Sequence, residues 1–204
     1  IFDNTKVNNL IVAGAGFKNP TSKVKILPKR VVASRGPLTR KKLIELGLNV
    51  PLNVGNPAIL LPKFYNQKIK KKYKLGIIPH YVDKYETSIQ EWCSSDEIKE
   101  IDVFSDYKTF VDDIKACEFT ISSSLHGVIL SHSYGIPSVW VKYSDKILGG
   151  NFKFNDYYQS LQLDPKPFLW HDNASILELQ SKTTVPDMFK LQKSLMNGLS
   201  SLDL

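Results

Sequence analysis

The residues best suited to chemistry lie together in Thr120-Ile121-Ser122-Ser123-Ser124-Leu125-His126-Gly127-Val128-Ile129-Leu130. An apolar run ends in three serines, a histidine and a glycine follow, and a second apolar run restarts with helical spacing. In an α/β fold this pattern places a polar turn at the carboxyl end of a strand, where the next helix opens with unpaired N–H groups that favour an anion. A histidine in that turn can hold a phosphate oxygen or move a proton near neutral pH. The segment alone fits a serine-capped helix equally well, and both readings stay open at this point.

The rest of the chain must position that turn, and it reads as alternating strands and helices. Leu10–Gly16 and Arg30–Arg35 read as strands, and Leu38–Leu46 reads as a helix closed by Gly47. Strands are expected at Lys74–Pro79, Lys99–Phe104, Phe119–Ile121 and Ser138–Val141. Helices are expected at Thr87–Trp92, Tyr107–Cys117, His126–Tyr134 and Asp187–Leu202. Strands separated by helical stretches imply parallel βαβ units. A composition shift beside Pro62 and the basic run Lys68–Lys74 predict a domain boundary, giving domains 1–66 and 67–204.

Parallel sheets bind ligands beyond the carboxyl ends of their strands. Arg35, His80, the Ser122–His126 turn and Lys142 all fall at such ends, so two cations and two histidines predict a site for a multiply charged anion. His126 and His132 are separated by about 600° of helical rotation and should not share a metal. His132 and His171 read as structural. No metal-ligand spacing, P-loop or nucleophile-elbow motif occurs, and no metal or cofactor is expected. Gly14-Ala15-Gly16 looks like a fragment of a dinucleotide loop, but Phe17-Lys18-Asn19-Pro20 cannot open the helix such a loop needs.

Hydrophobic content of 42% and charged content of 23% are those of a globular protein. Cys93 and Cys117 form no framework or metal motif and suit a reducing compartment. The formal charge is +7, concentrated in Lys68-Ile69-Lys70-Lys71-Lys72-Tyr73-Lys74. No interleaved aromatic platform accompanies it, so nucleic acid is not expected as a partner. The run reads as a solvated segment, with anionic substrates or an anionic membrane surface as the functional alternatives. The chain opens on Ile1-Phe2-Asp3, and upstream residues are expected, with any targeting segment among them.

Taken in order, Arg35-Gly36-Pro37-Leu38-Thr39-Arg40, Gly55-Asn56-Pro57-Ala58-Ile59-Leu60-Leu61-Pro62, Gly76-Ile77-Ile78-Pro79-His80-Tyr81 and Ser122–Gly127 form a specific series. Tyr134-Gly135-Ile136-Pro137, Lys142-Tyr143-Ser144-Asp145-Lys146 and Gly149–Tyr157 extend it. The series resembles the polysaccharide pyruvyl transferase family from about Leu10 to Tyr158. The resemblance implies a GT-B-like α/β fold, with two Rossmann-like domains of parallel sheets facing across a cleft. The first would be incomplete in this chain.

It also implies phosphoenolpyruvate as donor, the saccharide of a cell-surface polysaccharide or its polyprenyl-phosphate-linked precursor as acceptor, and a pyruvate ketal as product. Arg35 and His126 match the family's recurring donor-site groups and are the expected catalytic pair. Ser122, Ser123, Ser124, Gly127, His80, Lys142 and Lys146 are the expected substrate-binding residues. Two features depart from the pattern: Ser124 stands where many members have an arginine, and Asn56 replaces an aspartate. The donor charge must then be met by Lys142, Lys146 or His80. A cytoplasmic protein, at the inner membrane face if the acceptor is lipid-linked, is the matching expectation. A nucleotide-sugar glycosyltransferase or a non-catalytic binding module of the same fold are the alternatives.

Overall fold

The computed structural model describes residues 9–164 and 166–202, and the opening Ile1-Phe2-Asp3 lies outside them. The chain divides into two compact units, one of residues 1–59, 148–165 and 187–204, the other of residues 60–147 and 166–186. Segments 148–165 and 187–204, placed by the sequence in a single second domain, therefore pack with the first unit. The helix near the chain end shows why: its buried Leu191 and Leu195 lie on one face, and Gly198 approaches Val32 so closely that an added Cβ would sit 2.4 Å from its carbonyl oxygen.

The second unit holds a parallel five-stranded sheet. Its strands are β3 (Tyr73–Ile78), β4 (Ile98–Glu100), β5 (Cys117–Ser122), β6 (Ser138–Lys142) and β7 (Phe168–Leu169), in the spatial order β4-β3-β5-β6-β7. Strand side chains alternate between faces, and both faces are covered. Leu75, Ile77, Phe119, Ile121, Val139 and Val141 form one face, packed with Ile89 of α2 (Thr87–Trp92) and Leu179 of α6 (Ile176–Ser181). The opposite face carries α4 (Leu125–Ser133), where Thr120 bonds Ser131 at 2.8 Å and Ser138 at 2.9 Å. Burial on both faces explains why Leu75–Ile78 and Val139–Val141 read as continuous apolar runs, while β5 alternates Phe119 and Ile121 with the buried polar Thr120 and Ser122.

The edge strand β4 is shorter than expected. The side chain of Asp102 accepts the Phe104 N–H at 2.9 Å, an Asx turn that bends the chain out of the sheet. The amphipathic helix α3 (Tyr107–Lys115) buries Phe110, Val111 and Ile114, with Asp106 as a bonded N-cap. Cys117 is buried against it, and its thiol lies 3.2 Å from the Asp113 carbonyl. Burial pushes Cys117 up to about 12 and Cys93 up to about 11, so both are neutral thiols. In the basic run Lys68, Lys70 and Lys72 are exposed, while the Lys71 ammonium bonds the Cys117 carbonyl and Lys74 pairs with Glu118 at 2.7 Å.

The first unit contains the parallel pair β1 (Ile11–Ala15) and β2 (Arg30–Ser34), with α1 (Pro37–Glu45), α5 (Phe152–Ser160) and α7 (Phe189–Leu199). Its core is Val12, Phe17, Val31, Leu43 and Val50. No helix opens after the Gly14-Ala15-Gly16 turn, as its following residues predicted. Among the described residues no helix is long and apolar enough to cross a membrane.

His132 lies buried on α4, its Nε2 3.3 Å from the Thr184 hydroxyl. Burial pulls its pKa from 6.5 down to about 4, against the backbone bonds to Ser138 and Thr184, which raise it. The unfolded chain takes up this proton below pH 6.5, whereas the folded chain does so only near pH 4. Stability from this group is therefore complete above pH 6.5 and falls as pH drops toward 4, by about 3 kcal/mol in all. Urea unfolding at pH 7 and pH 4.5 should show this loss in the native protein and a clearly smaller one in His132→Gln.

Candidate functional site

Within the five-stranded sheet, β3 comes first in the chain, β4 pairs on one side of it and β5 on the other. The direction of winding thus reverses between β3 and β5. At such a reversal, beyond the carboxyl ends of the two flanking strands, doubly wound sheets bind their ligands. The chain leaves β3 as Pro79-His80-Tyr81 and leaves β5 as Ser123-Ser124-Leu125-His126, so the sequence-predicted residues from these two strands meet at the switch point.

The turn is built by its own serines. Ser122 Oγ lies 2.9 Å from both the Ile78 and Ser124 carbonyl oxygens and accepts the Ser124 N–H at 3.0 Å. Ser123 N–H donates to the Ile78 carbonyl at 3.2 Å, and Ser123 Oγ accepts the His80 N–H at 2.8 Å. These bonds tie the two strand ends together. Ser122 and Ser123 are fully buried, and Ser124 occupies the N-cap of α4 without a side-chain cap bond.

Gly127 lets the helix sit down on the turn. A Cβ there would lie 2.3 Å from Ser122 Oγ and 2.8 Å from Ile78 Cγ2. Gly127→Ala should therefore lower stability by about 1–3 kcal/mol in urea unfolding, despite alanine's better helix propensity. The first intrahelical bond runs from Val128 N–H to the Ser124 carbonyl at 3.2 Å. The N–H groups of the preceding turn are those a helix leaves to caps, water or a ligand, at the positive end of its dipole. His126 stands on this turn with its side chain exposed.

The expected cations sit differently. Lys142, at the end of β6, pairs with Asp145 at 2.5 Å, and Lys146 pairs with Glu86 at 2.7 Å. Each already offsets a carboxylate. The loop that carries them is anchored by Asp83, a buried residue missed by the sequence reading, whose carboxylate accepts the Ser144 hydroxyl at 2.6 Å. Glu86 and Asp83 follow β3, so only the tertiary fold brings them beside the β6 loop.

Arg35 belongs to the first unit and is 6% exposed. Its Nε donates to Asp156 Oδ2 at 2.9 Å and its Nη2 to the Phe17 carbonyl at 2.7 Å. Burial lowers its pKa, and the charge and hydrogen bond of Asp156 offset part of that. Asp156, fully buried, also accepts the Thr39 N–H at 2.9 Å and the Thr39 hydroxyl at 2.6 Å. Thr39 is in the first turn of α1, whose N-cap Gly36 has no side chain, so Asp156 caps the helix from α5. Gly36 permits this approach, because a Cβ there would lie 1.8 Å from the Asp156 carbonyl oxygen. Pro37 then opens the helix at the position where proline is tolerated. The Arg35-Gly36-Pro37 motif thus has a local structural basis: ion pair, close approach, helix start.

Among the described residues no group of three or more His, Cys, Asp or Glu side chains gathers in a way that could hold a metal ion.

The fold and the switch-point turn define an α/β protein of parallel sheets with an anion-favouring helix start. Comparison with known sequences narrows this. The profile of the family described as polysaccharide pyruvyl transferase matches residues 2–145, and the chain belongs to that family. It is 29% identical over 167 residues to the succinoglycan biosynthesis protein ExoV of Rhizobium meliloti (strain 1021), covering 79% of this chain and 51% of that protein. It is 38% identical over 113 residues to an uncharacterised protein of Acanthamoeba polyphaga mimivirus, covering 52% of this chain and 39% of that one. The chain thus spans about half the length of these relatives or less. No solved structure matches it.

Proposed function

We propose that the protein transfers pyruvate from phosphoenolpyruvate to a saccharide as a ketal, with its donor site at the β3–β5 switch point. The observation that carries this is the turn from Ser122 to Gly127. It is locked by its own serines, opens α4 without a side-chain cap, and presents an exposed histidine on the first helical turn. Membership of the polysaccharide pyruvyl transferase family supports the reaction class. The likeness to a succinoglycan biosynthesis protein supports an exopolysaccharide, or its lipid-linked precursor, as acceptor. A GT-B-like pairing of two Rossmann-like domains and a cytoplasmic location near the membrane belong to the same proposal.

Phosphoenolpyruvate carries a carboxylate and a phosphate on one enol carbon. The first-turn N–H groups of α4 and the His80 side receive its charge, and Lys142 and Lys146 contribute at longer range because each already faces a carboxylate. Arg35 is the further donor-site residue that the family resemblance implies; within its own unit its orientation is fixed by Asp156 and Phe17. Protonated His126 donates to C3, turning the methylene into a methyl group and leaving C2 cationic. A sugar hydroxyl adds to C2 and gives up its proton to the now neutral imidazole. The C2–O bond to phosphate then breaks with both its electrons leaving on oxygen, a second hydroxyl of the same sugar closes the ketal at C2, and the proton it releases leaves on the departing phosphate as hydrogen phosphate.

Thermal-shift titration tests the donor class. Phosphoenolpyruvate should raise the melting temperature progressively, as binding to the folded state requires, while UDP- and CMP-sugars should not. Stabilisation by a nucleotide sugar instead would transfer the site to a glycosyltransferase.

A further inference from the structure

The geometry points to an acceptor-saccharide platform on the row of rings that leaves the switch point through the loops after β3 and β4. His80 and Tyr81 have ring centroids 4.4 Å apart at an interplanar angle of 34°, and Tyr81 and Phe104 have centroids 6.1 Å apart at 44°. The row begins at the donor turn, because the His80 N–H is bonded to Ser123 Oγ at 2.8 Å. It becomes more open outward: Tyr81 is 54% exposed and Phe104 74%. Single exposed apolar side chains need no explanation, but a row of them does. The turn made by Asp102 on the Phe104 N–H presents the Phe104 ring.

The occupant these rings fit is a neutral sugar ring. Its C–H face packs on aromatic surface, while its hydroxyls need donors and acceptors at the rim. Lys84 and Asp102 supply both there, paired at 2.7 Å and partly exposed. The rings are tilted against one another and open to solvent. That suits a puckered sugar better than a flat base, and a polyprenyl chain would need an enclosed apolar groove. This assignment rests on the pyruvyl-transfer reading of the neighbouring turn, which requires a saccharide hydroxyl to reach C2 of the donor.

Saturation-transfer NMR with short gluco- and galacto-oligosaccharides tests it, with a parallel calorimetric titration of phosphoenolpyruvate. The wild-type protein should transfer saturation to the hexose C–H protons. Phe104→Ala and Tyr81→Ala should each weaken that binding by about fivefold to tenfold. Phosphoenolpyruvate affinity should be unchanged in Phe104→Ala, whose exposed ring can be removed without disturbing the core. Transfer to none of the oligosaccharides, or equal transfer in wild type and variants, overturns the platform. So does UMP whose base protons, rather than sugar C–H protons, lose transfer in the variants. If the variants lose saccharide binding but phosphoenolpyruvate binds none of the proteins, the platform stands and the pyruvyl-transfer reading fails.

Discussion

Asp156→Ala is expected to destabilise the protein by about 3–5 kcal/mol, a large share of the about 5–15 kcal/mol that holds a typical domain together. One substitution removes three contacts: the ion pair to Arg35 Nε at 2.9 Å and the bonds to the Thr39 N–H at 2.9 Å and hydroxyl at 2.6 Å. It leaves a buried guanidinium whose remaining side-chain hydrogen bond among the described residues is to the Phe17 carbonyl, and it leaves the first turn of α1 uncapped. Urea unfolding followed by circular dichroism measures the loss. Arg35→Met combined with Asp156→Leu should recover much of it, because an apolar pair avoids both the stranded charge and the desolvation penalty. A loss under about 1 kcal/mol in Asp156→Ala would show that water reaches the guanidinium and that the pair is not a structural node. The double variant also separates two roles of Arg35. If it folds but no longer binds phosphoenolpyruvate, the arginine serves the donor as well as the fold.

The second large effect is on turnover. His126→Ala should lower ketal formation by about 10²–10⁴-fold, the range that a positioned acid–base group contributes. The fold should survive, since the side chain is exposed and on the first turn of a helix whose buried residues, Val128, Ile129 and Leu130 among them, are untouched. Phosphate release from phosphoenolpyruvate in the presence of a saccharide acceptor, with the ketal methyl group followed by NMR, gives the readout. Loss of activity with an unchanged melting temperature is the expected pattern. Activity within a few-fold of wild type would remove His126 from the chemistry.

Much of this could be read in the chain because parallel strands advertise themselves. Runs such as Leu75–Ile78 and Phe119–Ser122 are buried on both faces, and the polar residues that end them fall at the carboxyl edge, where parallel sheets bind ligands. The Ser122–Gly127 turn was legible for that reason. What the turn does with its serines was not. Ser122 and Ser123 lock the two strand ends to each other, and this depends on the register of β3 against β5.

Charge partners were hidden by sequence distance. Asp156 lies 121 residues from Arg35, and Glu86 lies 60 from Lys146. No local pattern marks such pairs, so cations that looked available prove to be paired. The end of β4 was misplaced because Asp102 makes its turn with a side chain, within a run whose apolar residues continue to Phe104. The return of α7 to the first unit follows from the shape of its Leu191–Leu195 face and the close fit of Gly198, which periodicity alone does not assign to a partner.

The most direct test of the central claim, that the switch-point turn is a donor site for phosphoenolpyruvate, is calorimetric titration of phosphoenolpyruvate into the wild-type protein and His126→Ala side by side. Binding by the wild type, weakened about tenfold or more in the variant, is the predicted result, since a hydrogen bond to a charged group contributes about 1.5–3 kcal/mol. Equal affinity in the two proteins, or no binding by either, would contradict it.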